Sequence, residues 1–202
     1  MSNTEQQKFK RWLAQIIEEL VLATCYFKVW VQLWPSTEKI AHVENLYRNF
    51  FLTTRTALNN QFLLQLSKIL DRRRDSINIP RLIEMLEKQP DLITEKSLDI
   101  NTLGTRLNEM QEIFKRLKTL RDKKLAHIDE QFHTNASLRK SLHIYFVEAK
   151  ALLSNLAEIV TDISVAHNGV VPVFDTLGIG DTSELLKTLV LLDKKDTVSD
   201  NS

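Results

Sequence analysis

The sequence predicts an all-α protein, an up-and-down bundle of four long helices with additional short helices. Apolar residues recur every three or four positions through most of the 202 residues, which is the spacing of amphipathic helices. With four glycines and four prolines, the chain has too few turn residues for an all-β fold. Its hydrophobic content of 43% is sufficient for one sizeable core.

The first half of the chain contains two long predicted helices and a short one. The first covers roughly residues 5–34, where apolar side chains recur on one face until a proline ends the pattern. A serine–threonine pair can cap the second, which continues for about 33 residues to the charged run DRRRD at 71–75. A short helix is predicted in NIPRLIEMLEKQ, because Pro80 falls in its first turn, where a missing N–H costs little.

The second half contains two further long helices and a small last one. One covers roughly residues 101–129 and is ended by the polar stretch EQFHTN. The next covers roughly 137–168, with Tyr145 among its inward positions and an Asn–Gly pair as its C-cap. A sequence typical of a capping box, DTSE, precedes a last helix at roughly 182–192.

A single domain is expected, because no internal repeat and no inter-domain linker interrupts the helical pattern. Residues 1–168 form the predicted bundle. Residues 169–192 contain an extended excursion and the short C-terminal helix, packed on the same domain. Residues 193–202 are predicted to be a disordered tail.

Charge and cysteine content narrow the class of protein. A net charge of +1 provides no global basic field, so contact with nucleic acid requires a local patch. The single cysteine, Cys25, excludes an intrachain disulfide and is typical of a reducing compartment. The N-terminus lacks a secretory apolar segment, and the most apolar stretch, residues 21–27, is too short to span a bilayer. These features predict a cytoplasmic protein without membrane contact.

The stretch LRDKKLAHID at 120–129 carries candidate chemistry. On an ideal helix, Arg121, Lys124 and His127 lie within or at the edges of the arc that the preceding apolar residues define. A cation inside an apolar stripe is costly unless it is paired or hydrated, so this face is predicted to open on a cleft, a subunit interface or an anion. Arginine binds phosphate with bidentate geometry, and histidine exchanges protons near neutral pH. Both properties suit work on a phosphodiester.

The same residues have a structural interpretation. Cations favour a helix C-terminus because of the helix dipole, and Asp122 or Asp129 can pair with them. Lys124 either supplies a second phosphate contact or lays its stem along apolar surface. Arg48 and Arg55, seven residues apart on one helix face, either bind RNA in the same cleft or belong to a solvated face. The DRRRD run is interpreted as solvated cap chemistry, with an RNA track as its alternative.

A family resemblance rests on two segments. Arg121-Asp122-x4-His127, near the end of a long helix in an all-α bundle, resembles the R-[polar]-x4–6-H motif of the HEPN superfamily. Together with the upstream LSKILDRRRDSINIPRLIEML at 66–86, LRDKKLAHID looks like the abortive-infection U (AbiU2-like) branch of that superfamily. The resemblance covers roughly residues 5–165.

Membership would imply a homodimer that brings two copies of the motif into a shared cleft, and metal-independent RNA cleavage in active members. On that pattern Arg121 binds the scissile phosphate, His127 acts as general base or acid, and Asp122 orients the pair. Other members are non-catalytic and bind nucleotides or RNA. HEPN toxins paired with nucleotidyltransferase antitoxins often carry a tyrosine two residues after the histidine. Asp129 occupies that position here, which counts against regulation by modification of such a tyrosine.

The sequence therefore predicts a metal-independent endoribonuclease of a phage-defence or toxin-like system. No cofactor and no metal are expected, since His127, Asp129 and His133 do not share one helical face. The near-zero net charge favours a selective nuclease that acts on a folded RNA such as tRNA. Expected partners are a second copy of the chain, RNA, and an antitoxin or defence partner. The alternatives are a non-catalytic module that binds RNA, a nucleotide or a partner, and a dimeric helical scaffold.

Overall fold

The structure, a computed structural model, describes residues 3–71, 73, 75–95, 98–126, 130–174 and 179–199. Regular structure in this part of the chain is helical throughout, so the prediction of an all-α protein is confirmed. No described helix is long and apolar enough to cross a membrane. A 3₁₀ turn at Pro90–Leu92 and a π-helical turn at Arg121–Ala126 accompany the α-helices. The α-helices are α1 Asn3–Gln32, α2 Glu38–Leu46, α3 Arg48–Leu70, α4 Ile79–Lys88, α5 Ile100–Glu109, α6 Gln111–Leu120, α7 Glu130–Thr134, α8 Ala136–Leu142, α9 Phe146–Asn168 and α10 Ile179–Ser199.

Three of the four predicted long helices are divided, whereas α1 is continuous. The predicted second helix is interrupted at Tyr47, where the side chains of residues 45–50 are all exposed. Packing of an apolar face provides most of the stability of a helix in a protein, and this segment lacks such packing. The predicted helix at 101–129 is interrupted at Met110, and the one at 137–168 at residues 143–145.

Tyr145 lies at the start of a helix rather than on the inward face of one. It was predicted to face inward, but its side chain is 53% exposed and it occupies the N-cap position of α9. Its backbone N–H donates to Oε2 of Glu148 at 2.9 Å. A glutamate three residues after the N-cap satisfies a backbone donor in this way in the capping box, so the local hydrogen bond accounts for a new helix start here.

The last helix is longer than predicted. Helix α10 covers Ile179–Ser199 and therefore includes most of the tail at 193–202 that was predicted to be disordered. The sequence from 181 to 199 contains no glycine or proline, so no local preference ends the helix at 192. Residues 170–174 have no regular secondary structure, residues 175–178 lie outside the described residues, and the extended excursion stays a prediction.

The chain consists of two compact units. Unit 1 comprises residues 1–22 and 63–174, and unit 2 comprises residues 23–62 and 175–202. The predicted domain boundary at 168 does not coincide with these limits and stays a prediction. The core of unit 2 contains Leu33, Val43, Phe51 and Leu186. Among the described residues, fully buried side chains of unit 1 include Phe9, Leu20, Leu66, Leu82, Leu103, Leu117 and Ile163.

Two glycine substitutions are expected to change stability in opposite directions. Gly169 ends α9 with a φ of 72°, and alanine there is expected to cost about 1 kcal/mol because its Cβ is strained in the left-handed region. Gly104 lies inside α5, where an added Cβ meets nothing within 4 Å. Alanine there is expected to gain about 1 kcal/mol of helix propensity. Urea unfolding of both variants measures the change in the free energy of unfolding. A change of the same sign in both variants would contradict the prediction.

Candidate active site

The predicted motif begins on a π-helical turn. Residues Arg121–Ala126 follow α6 directly, and in this kind of turn the hydrogen bonds join residues five apart. The angular positions predicted for residues beyond Arg121 rest on α-helical turns of 3.6 residues, so they do not apply to this π-helical turn. Single π-helical turns occur frequently at functional sites. His127 and Asp129 lie outside the described residues, so the position of His127 relative to Arg121 stays a prediction.

Two carboxylates hold the Arg121 guanidinium. Its Nε donates to Oδ1 of Asp122 at 2.8 Å, and its Nη2 lies 2.7 Å from the same oxygen. Its Nη1 donates to Oδ2 of Asp71 at 2.8 Å. The same Asp71 oxygen accepts a hydrogen bond from Nε of Arg73 at 2.8 Å. Arg73, Asp71, Arg121 and Asp122 therefore form a chain of alternating charges, which we call the Arg121 network.

The two carboxylates differ in burial. The Asp71 side chain is 8% exposed, whereas that of Asp122 is 45% exposed. Burial acts to raise the pKa of Asp71, but hydrogen bonds and charges from Arg121 and Arg73 together outweigh it and lower the pKa. Burial also disfavours the charged form of Arg121, yet its two carboxylate partners raise the pKa of Arg121 above its usual value. Arg121 is therefore a fixed, permanently charged group.

Asp71 is the site residue that the sequence analysis did not find. It belongs to the DRRRD run, which was interpreted as solvated cap chemistry, and it lies fifty residues before Arg121. Local pattern cannot connect residues so far apart in the chain. The available signal was the family resemblance, which includes both segments. Asp122 contacts Arg121, as expected of a residue that orients the arginine. Arg72 and Arg74 of the DRRRD run lie outside the described residues.

Lys124 lies within the same turn. Its side chain is partly buried, and within the described part of the chain it has no ion pair. Burial lowers the pKa of Lys124. Burial of an ammonium is energetically unfavourable and is offset by a nearby anion, which fits the predicted phosphate contact. A stem packed on apolar surface fits the same burial, so both interpretations of Lys124 stay open.

Arg48 and Arg55 both lie on α3 in unit 2, whereas Arg121 lies in unit 1. Arg48 is exposed. The Arg55 side chain is 15% exposed, and its Nη1 contacts both carboxylate oxygens of Glu44 at 2.9 and 3.0 Å. Its guanidinium also lies over the ring of Trp34, 4.5 Å from the centroid. These contacts give Arg55 a structural role in unit 2, and the contact of either residue with RNA stays a prediction.

Arg121 also lines a pocket in unit 1 with a volume of about 320 Å³. This volume lies within the range of small-ligand sites, about 300–1,000 Å³. The wall combines charged, polar and apolar side chains from the end of α3, from α6 and from the Arg121 network. They are Ser67, Leu70, Asp71, Arg73, Gln111, Phe114, Lys115, Leu117, Lys118 and Arg121.

The all-α fold, with Arg121 and Asp122 directly after α6, agrees with what the HEPN resemblance implied for this part of the chain. A family model described as AbiU2, HEPN_AbiU2, matches residues 6–185. The chain therefore belongs to the AbiU2 family of HEPN proteins, and the resemblance drawn from the two sequence segments is confirmed. No curated protein and no solved structure is significantly similar to the chain.

Proposed function

We propose that the protein is a metal-independent endoribonuclease of a phage-defence or toxin-like system. The observation that carries this proposal is the Arg121 network. It presents a permanently charged guanidinium, fixed by two carboxylates, at the first residue of the family motif. Among the described residues that line the adjoining pocket, four side chains are cationic and one is a carboxylate, which favours a polyanionic substrate.

The proposed reaction is an internal transfer within RNA. The 2′-oxygen attacks the neighbouring phosphorus, the bond from phosphorus to the 5′-oxygen breaks, and a 2′,3′-cyclic phosphate remains on one fragment. One group removes the proton of the 2′-hydroxyl and another gives a proton to the 5′-oxygen. Because the nucleophile belongs to the substrate, the reaction needs no metal-bound water.

Roles follow from the chemistry of the motif. Arg121 stabilises the negative charge that develops on the non-bridging phosphate oxygens, and Asp71 and Asp122 keep its guanidinium in place. His127 performs one of the two proton transfers. A homodimer with both motifs in one cleft would supply a second histidine for the other transfer. Lys124, Arg48 and Arg55 are proposed RNA contacts, and the substrate is proposed to be a structured RNA such as tRNA.

A non-catalytic binding module is the second candidate. Arg121 already contacts two carboxylates, which reduces the net positive charge that it offers to a phosphate. In this candidate, the charge left on Arg121 is too small to stabilise a transition state, and the same residues bind RNA or a partner without chemistry. Tight RNA binding without cleavage, lost in Arg121→Ala, would support this candidate.

The test compares the purified protein with His127→Ala. Each is incubated with total cellular RNA in EDTA, and the 3′ ends of the fragments are analysed. The wild type is expected to produce cyclic-phosphate ends, and the variant to cleave about 10²–10⁴-fold more slowly because a proton transfer is lost. A matched control is His133→Ala, a histidine of α7 outside the motif, which is expected to leave cleavage unchanged.

Three outcomes would contradict the proposal. Absence of cleavage by the wild type on any RNA would favour the binding module. Cleavage by His127→Ala at the wild-type rate would show that His127 does not perform a proton transfer in the reaction. Loss of cleavage in EDTA, restored by added Mg²⁺, would show that the reaction requires a metal.

A further inference from the structure

The pocket beside Arg121 has two kinds of wall. Leu70, Phe114 and Leu117 provide an apolar surface, while cationic side chains provide charge. An inorganic anion would not require the apolar wall, and an apolar ligand would not require the cations. The wall therefore fits a ligand that combines a flat apolar group with a phosphate. A volume of about 320 Å³ lies at the lower end of the range for ligand pockets, which indicates one such unit rather than several.

The cationic side chains that line the pocket differ in whether they already contact a carboxylate. Arg73 and Arg121 contact Asp71, and Lys115 contacts Oε1 of Glu112 at 2.6 Å on the exposed surface. Lys118, by contrast, is exposed and has no ion pair within the described part of the chain. Lys118 is thus the lining cation that is most available to a ligand phosphate.

Phe114 is the aromatic member of the wall. Helical spacing predicts that Phe114 shares the packing face of the helix with Leu117. Both residues line the pocket, but Leu117 is only 1% exposed, whereas Phe114 is partly buried and has the more accessible side chain. An aromatic ring beside cationic side chains is the arrangement on which proteins stack unpaired nucleic-acid bases.

We propose that this pocket receives one unpaired nucleotide of the RNA, with its base stacked on Phe114 and an adjacent phosphate held by Lys118 and Arg121. This proposal rests on the proposed function, because the nucleotide next to Arg121 is then the one that flanks the scissile phosphate. A base inside a duplex is stacked on its neighbours and cannot enter the pocket. The substrate class is therefore RNA with an unpaired nucleotide at the cleavage site, such as a loop or a bulge.

The test measures binding separately from cleavage. The probe is a fluorescein-labelled, uniformly 2′-O-methyl decamer, which has no 2′-hydroxyl and cannot be cut by the proposed reaction. Fluorescence anisotropy gives its affinity as a single strand and as a duplex with its complement. Phe114→Leu keeps the apolar volume but removes the ring, Phe114→Trp keeps a ring, and Phe146→Leu is the matched control on α9, outside the pocket.

The affinity of Phe114→Leu for the single strand is expected to be lower than that of the wild type by about tenfold or more, because the stacking of one base is lost. Phe114→Trp and Phe146→Leu are expected to bind as the wild type does, and duplex affinity is expected to stay unchanged. Lys118→Ala, at an exposed position where folding is not at risk, is expected to weaken binding and reduce its salt dependence by about one phosphate contact. Lys150→Ala on α9 is its matched control.

Unchanged single-strand affinity in Phe114→Leu would overturn the proposal, as would an equal loss for single strand and duplex or an absence of binding by the wild type. A parallel cleavage assay separates this proposal from the proposed function. Binding that depends on Phe114, without cleavage of any RNA, would support the proposed nucleotide pocket and contradict the proposed nuclease activity. Cleavage by Phe114→Leu at the wild-type rate and at the wild-type sites would support the proposed nuclease activity and contradict the proposed nucleotide pocket.

Discussion

Arg121→Lys is expected to reduce RNA cleavage by about 10²–10³-fold, although it leaves the net charge of the protein unchanged. The guanidinium reaches two carboxylates and still has N–H groups for a phosphate, whereas an ammonium is a point charge without this planar fork. Charge that develops only in the transition state depends on donors fixed in advance. The loss should therefore appear in kcat more than in RNA affinity, and single-turnover kinetics with separate binding measurements distinguish the two.

Arg116→Lys is a matched control for this prediction. Arg116 lies five residues earlier on α6 and makes a comparable two-pronged contact with Glu148, at 2.5 and 3.2 Å, away from the motif. The same substitution there should lower stability modestly and leave kcat near the wild-type value. Equal losses of kcat in the two variants would mean that the effect of Arg121 is structural rather than catalytic.

Asp71→Asn is expected to destabilise the protein by about 1.5–3 kcal/mol at neutral pH, the range for hydrogen bonds to a charged group. The substitution preserves volume but leaves the partly buried Arg121 without its more buried counter-charge. Asp122→Asn removes the other carboxylate partner of Arg121 and is the matched control. Because Asp122 is 45% exposed, its loss is expected to cost only about 0–1 kcal/mol. Urea unfolding of both variants measures the difference.

The effect of Asp71→Asn is also expected to depend on pH. The pKa of Asp71 is lower in the folded protein than its ordinary value of 3.8. Its contribution to stability is therefore complete above that value and is lost as the pH falls through the folded-state pKa. The stability difference between wild type and variant should be constant between pH 6 and 8 and shrink below about pH 4. A difference that stays the same at low pH would show that the carboxylate charge is not its source.

Periodicity predicted the class of fold because the spacing of apolar residues reflects which face of each helix is buried. It did not predict where helices break. The interruptions at Tyr47, at Met110 and at residues 143–145 lie inside apolar patterns that continue across them. Such breaks depend on local hydrogen bonds, such as that from Tyr145 to Glu148, and on whether neighbouring elements cover the segment.

The candidate site was predictable only where its parts are close in the chain. Arg121 and Asp122 are adjacent, and their chemistry can be recognised in a ten-residue stretch. Asp71 reaches Arg121 only because folding brings the end of α3 to the end of α6, which no local pattern reveals. Phe114 shows a related limit, because helical spacing assigns it to a packing face but does not tell whether a neighbour covers it.

The π-helical turn at Arg121–Ala126 has a consequence for the spacing of the family motif. Each hydrogen-bonded ring of such a turn encloses one residue more than that of an α-helix, so a π-helical turn absorbs an inserted residue while the helix before it is unchanged. The motif R-[polar]-x4–6-H tolerates different numbers of residues between its arginine and its histidine. A helix able to take up or release single residues at this point would allow insertions and deletions within the motif while the arginine stays anchored to its carboxylates.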